Sequence, residues 1–238
     1  MKNIRNKIRN IAEKAGFLSD ATLKRDNLIL VASISVLVFL YPFIMDSDFD
    51  KLIFDILVSS IIFFGITSLK FRKEKFVRLL YFGSFTLVLV WINYFIFSTE
   101  TRIAMFIVLT LFLIYITYSM ISHVSRNKEV NAILILNAIN SYLLLGIIAA
   151  FLFILADISY YFLFDISGST IKFTYTNDPS TYDYIYYSYI TLTTVGYGDA
   201  TPAIPLTRSL AMLVSLSGQL YLTILVAMLV GKFLAKRD

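Results

Sequence analysis

Polar and apolar positions fall along this chain in long blocks rather than in strict alternation. Apolar runs cover about 28–45, 52–69, 79–97, 103–122, 139–163 and 206–231. A helix that crosses a bilayer needs about 20 apolar residues, within a range of about 17–25. All six runs qualify, the first two with little to spare, so the pattern predicts six transmembrane helices. The stretch 130–163 is too long for one upright helix. Residues 126–138 are therefore expected as a surface linker feeding a fifth span from about 139.

Composition narrows the class. The chain has 238 residues, 58% hydrophobic and 16% charged, with 21 Phe, 16 Tyr and a mean hydropathy of +0.75. A soluble domain with that content would carry a mostly apolar surface. Cysteine is absent, which removes disulfides, thiolate chemistry and zinc sites with sulfur ligands. The one histidine, His123, sits where an apolar run gives way to a polar one and reads as a solvated loop residue. No span gathers histidines or paired acids, so an enzyme is not expected. No cleavable signal peptide is expected either, because the first apolar run starts late and is long enough to span.

Charge sets the orientation. Seven Lys/Arg lie in residues 1–26, five in 70–78 (Lys70, Arg72, Lys73, Lys75, Arg78), two in 123–129 and three after 231. That places 17 of the 21 basic residues on one side; the other has Lys51, Arg102, Lys172 and Arg208 beside Asp46, Asp48, Asp50, Glu100 and Asp165. The positive-inside rule then puts both termini in the cytoplasm of a multi-pass plasma-membrane protein. The +5 net charge is a topology signal, and no nucleic-acid partner is implied. Ile4, Ile8, Ile11 and Ala15 follow helical spacing among the basic residues, which suits either an amphipathic surface helix or a simple basic arm.

Between the last two spans the pattern changes. Residues 164–182 are polar and aromatic and are expected outside the membrane. Ser180 with Asp183 three residues on resembles a capping box. The run 184–193 is long enough for about three helical turns and too short to cross. It must enter and stop, leaving 194–198 as irregular backbone at membrane depth. Such backbone survives only where protein encloses it or where it lines a watery path. Gly196 and Gly198 permit positive φ, so successive carbonyls can face one axis. Val195 and Tyr197 are expected to point backwards into packing, and Thr194 adds a hydroxyl oxygen. The stack suits a desolvated hard cation, favoured further by the negative end of the short helix.

Thr194-Val195-Gly196-Tyr197-Gly198, between Thr193 and Asp199, resembles the selectivity filter of potassium channels, whose documented sequence it repeats. The resemblance covers about 139–234 and is to prokaryotic-type channels with six transmembrane helices and one pore loop. It implies an all-α membrane protein assembled as a homotetramer in the lipid bilayer. Potassium ions would be held at Thr194, Val195, Gly196 and Tyr197, with no other cofactor. It further implies that Tyr186 and Tyr187 are the pore-helix aromatics behind the filter, with Tyr186 able to bond Asp199. Thr191 matches a pore-helix threonine, and Ile190 an aliphatic found in voltage-gated relatives. Arg208 matches a basic residue at the outer start of the inner helix. Asp157 corresponds weakly to an acid that bonds the top of the pore loop. Gly218 stands at the inner-helix hinge position.

The first four spans depart from the voltage-gated pattern. No Lys or Arg lies between Arg102 and Arg126. Each charge moved across 100 mV is worth about 2.3 kcal/mol, and this span has none to move. Residues 27–125 are expected as a scaffold, 1–26 as a cytoplasmic arm and 235–238 as a short tail. Asp55 reads as the one acid in these spans, paired with Arg102 or snorkelling. Asn93, Thr110, Thr117 and Ser119 are expected to hydrogen-bond between helices. With seven residues after Gly231, no cytosolic ligand-binding domain is expected there, and the regulatory ligand is left open. A non-selective cation channel, a potassium-transporter-related subunit and a subunit silent on its own are the alternatives.

Overall fold

The computed structural model describes residues 20–43, 49–69, 73–96, 98–127, 129–164 and 169–234, the side chains of 73–75 excepted. The pattern at Ile4, Ile8, Ile11 and Ala15, the tail 235–238, and Asp46, Asp48 and Asp165 lie outside them.

Seven α-helices are described: α1 (Asp20–Ser35), α2 (Asp50–Thr67), α3 (Lys73–Phe95), α4 (Thr99–Arg126), α5 (Ala132–Phe164), α6 (Thr181–Leu192) and α7 (Pro205–Leu234). One two-stranded ribbon departs from the all-helical expectation, with β1 (Ile171–Phe173) antiparallel to β2 (Ala200–Pro202). Ile171 and Phe173 are buried while Lys172 between them is exposed, the alternation a half-buried strand requires.

Helix α1 continues past Ser35 as a wide turn, in which Tyr41 N–H donates to the Val36 carbonyl, and then a tighter turn through Phe43. Pro42 explains the change, because it has no N–H for the regular bond to Val38. This helix starts at Asp20, so residues 20–26 are not part of a separate arm. Asp26 therefore joins Asp55 as a buried acid within the first four helices; it takes both Nε and Nη2 of Arg25, at 3.1 and 3.0 Å.

Among the described residues, five helices, those from Asp20, Phe76, Thr99, Ala132 and Pro205, are long and apolar enough to cross a membrane. Helix α2 differs: its 18 residues include Asp50, Lys51 and Asp55, and it measures about 27 Å. Helix α5 corrects the expected linker. It begins at Ala132, where the Asn131 side chain accepts from Leu134 N–H, so 132–138 are helical and only 127–131 connect. Its 33 residues reach about 50 Å, more than the bilayer core needs.

Helices α1 to α4 pack in sequence order, and both α1 and α4 lie against α5. Phe112, Leu30 and Ile62 fill the scaffold, while Phe106 meets Phe151 of α5 with ring centroids 5.2 Å apart. Buried polar bonds fix the registers. Asn140 Nδ2 donates to Asn27 Oδ1 at 3.0 Å, and Asn27 Nδ2 donates to the Ser68 carbonyl at 2.8 Å. Ser33 and Ser60 hydroxyls pair at 2.8 Å. Thr110 and Ser119, expected to bridge helices, instead bond the carbonyls of Phe106 and Tyr115 one turn back. The Thr117 hydroxyl is buried without a partner among the described residues, and Asn93 lines a cleft. His123 is not a loop residue. It lies half-buried in the last turn of α4, its Nδ1 3.0 Å from Asn137 Nδ2, because the helix runs on past the apolar run.

Candidate functional site

Helix α6 is held at its start, along its back and at its end. Ser180 caps it: its Oγ accepts from Asp183 N–H, while Asp183 Oδ2 accepts from Ser180 N–H at 2.7 Å. Asp157 on α5 gathers the segment above. Its Oδ1 accepts from the N–H and hydroxyl of Thr170 and from Ser169, and its Oδ2 from the Tyr184 hydroxyl at 2.7 Å. Burial first, and then Asp183, hold the nearby Tyr175 phenol well above its usual range. Deeper, Ser188 donates to the Gly146 carbonyl and Tyr189 to the Leu143 carbonyl, at 2.9 and 2.6 Å. Gly146 is required here, since a Cβ would lie 2.4 Å from the Tyr189 ring. Tyr187 meets Phe153 with centroids 4.8 Å apart.

The chain then leaves the helix in an unusual conformation. Thr194, Gly196 and Gly198 have φ of 61°, 53° and 85°, with no positive value at Val195 or Tyr197. Thr194 is the surprise, because a β-branched residue resists positive φ. The N–H of Thr194 donates to the Thr191 carbonyl at 3.0 Å, and those of Val195 and Gly196 to the Ile190 carbonyl at 3.0 and 3.2 Å. The donors of Thr194, Val195 and Gly196 are thus consumed by carbonyls of α6. Among the described residues, no group donates to the carbonyls of 194–198. Unclaimed carbonyl oxygens can coordinate a hard cation.

Anchors close the far end. The Tyr186 hydroxyl donates to Asp199 Oδ2 at 2.6 Å, and Thr174 N–H donates to the Asp199 carbonyl at 2.8 Å. Thr193 donates its hydroxyl to the Tyr189 carbonyl at 2.7 Å. Arg208 reaches back from α7 to the carbonyls of Pro202 and Ala203. Gly218 of α7 is buried directly against the Leu192 carbonyl at the end of α6.

Two expectations need correction. Val195 and Tyr197 do not pack within the chain; they are 52% and 73% exposed, because one chain supplies nothing to cover them. Asp55 and Arg102 line the same cleft without forming an ion pair.

Residues 147–235 match a family model described as ion channel. The matched stretch begins within α5 and takes in β1, α6, residues 194–198, β2 and α7. It supports an ion channel with several apolar helices in a membrane. No curated protein and no solved structure matches the chain.

Two partners had no local signal in the sequence. Lys232 Nζ donates to the Val124 carbonyl at 2.6 Å and to that of Ser125 at 3.3 Å, capping the end of α4. Tyr221 similarly donates to the Ala138 carbonyl at 2.7 Å, tying α7 to α5.

Proposed function

We propose that the chain is one subunit of a potassium-selective channel whose filter is formed by Thr194, Val195, Gly196, Tyr197 and Gly198 of four copies. The observation that carries this reading is the run of alternating positive φ with N–H groups bonded behind and carbonyls left unclaimed. A single strand offers one quarter of a ring, and the exposure of Val195 and Tyr197 argues for neighbours that cover them. The sparse burial of α7, with only Thr207, Val214 and Gly218 buried, supports the same assembly.

In this reading Asp199, Tyr186, Tyr187, Thr191 and Thr193 hold the filter from behind, and oxygen ligands replace the hydration shell of the ion. Helix α2 counts as a sixth, short crossing, and both termini face the cytoplasm of the plasma membrane. Helices α1 to α4 are a scaffold without gating charge. Gly218 lies on the inner helix as a bending point or as a packing contact, and its closeness to Leu192 favours packing.

Bilayer recording of the purified full chain under opposed potassium and sodium gradients tests the proposal. The reversal potential should follow the potassium gradient. Equal permeation by both ions, or conductance from a particle smaller than a tetramer, would overturn it.

A further inference from the structure

A cleft of about 590 Å³ opens where the scaffold meets the start of α6. Tyr41, Phe54, Asp55 and Arg102 line it from three helices, and Ser180 and Thr181 line it from the cap of α6. That volume lies within the usual range for small-molecule sites, about 300–1,000 Å³. A second cleft of about 280 Å³ shares Arg102 and Thr181 with it.

Asp55 is the unusual wall. It is only 5% exposed, and among the described residues its carboxylate accepts no hydrogen bond and joins no ion pair. Buried charge without a partner is costly, and removal from water is normally offset by a specific counter-group. Lys51, one turn earlier, acts on Asp55 through its field. On α4, the Arg102 guanidinium has no carboxylate within ion-pair reach among the described residues. The rings of Tyr41 and Phe54, with centroids 5.7 Å apart, add aromatic surface of the kind that favours organic ammonium groups.

We propose that this cleft binds a small zwitterion, with its ammonium group on Asp55 and its anionic group on Arg102. Asp50 and Asp178 also line the cleft, so it presents three carboxylates together with Lys51 and Arg102, and a ligand that carries both signs of charge can use both sets. No group of three or more His, Asp or Glu suited to a metal ion occurs among the described residues. The planar guanidinium suits a phosphate or carboxylate. The same chemistry is carried by a free zwitterion and by the headgroup of a zwitterionic lipid. An occupant would touch Ser180 and Thr181, where α6 begins. Control of conduction from this cleft rests on the channel reading; binding does not.

The test is calorimetric titration of the purified full chain with phosphoethanolamine, beside ethanolamine and inorganic phosphate. Phosphoethanolamine should bind at least about tenfold more tightly than either half. Asp55→Asn and Arg102→Gln should each weaken it by about the same factor. Equal affinity for the three probes, or unchanged affinity in both variants, overturns the site. Should Asp55→Asn fail to fold, the exposed Arg102→Gln and the probe series decide alone. Nanodiscs separate the sources. Binding in phosphatidylglycerol discs that disappears in phosphatidylethanolamine discs identifies the lipid headgroup as occupant, equal binding in both identifies a free solute, and no binding in either overturns the site. Because no current is read, failure of the channel reading leaves these outcomes unaffected.

Discussion

Gly218 faces the backbone carbonyl of Leu192 so closely that a Cβ on residue 218 would stand 2.1 Å from the oxygen. Helix α7 continues through Gly218 without interruption, from Pro205 to Leu234. Gly218→Ala must therefore push α7 away from the end of α6, and overpacking of this kind costs about 1–3 kcal/mol. The variant should melt at a lower temperature than the parent in the same detergent. An unchanged melting temperature with a lowered open probability would instead mark Gly218 as a hinge.

Tyr186→Phe removes the hydroxyl that donates to Asp199 Oδ2. The other carboxylate oxygen, Oδ1, is already buried without a partner among the described residues, so Asp199 would lose its one side-chain bond to them. Hydrogen bonds to charged groups contribute about 1.5–3 kcal/mol. In the proposed channel, the rise in melting temperature produced by potassium should shrink in the variant. Equal stabilisation by potassium in both proteins would show that the bond does not hold the ion site.

Asp157→Asn should be more damaging than its position near the outer end of α5 suggests. The carboxylate accepts from four donors on Ser169, Thr170 and Tyr184, and an amide cannot accept with both of its terminal atoms. Thermal melting should report a clear loss of stability, with faster amide exchange at Thr170. Wild-type exchange there would refute the assigned role.

Lys232→Met removes the cap on the Val124 and Ser125 carbonyls, which also ties the end of α7 to that of α4. Amide exchange near 123–127 should quicken and open probability should shift, while Lys232→Arg keeps both near the parent values. A Met variant identical to the parent in both measurements would remove this link from the gating apparatus.

Voltage should act weakly. Helix α4 has no Lys or Arg between Arg102 and Arg126, and each charge moved across 100 mV contributes about 2.3 kcal/mol. A conductance–voltage curve steep enough for several charges per subunit would contradict this.

What the sequence made legible was local. The Ser180–Asp183 cap joins residues three positions apart, and the Tyr186–Asp199 bond follows from a motif and its adjoining helix. Helix ends were less legible, because hydropathy marks the lipid-facing length whereas backbone bonding continues into the interface. For that reason α1 starts at Asp20 and α5 at Ala132, earlier than their apolar runs. The partners of Lys232 and Asp157 depend on distant packing, which periodicity does not encode. Positive φ at Thr194 ran against its own side chain and is imposed by the bonds behind the strand.

The uncovered flanks of the strand at 194–198 bear on how much functional protein a membrane can hold. If copies of the same chain supply the missing cover, folding of this segment and association become a single mass-action equilibrium. Subunits diluted in lipid would then lose the ion site before they lose their helices. Activity per chain should therefore climb with surface density and level off, a dependence that a self-sufficient monomer would lack.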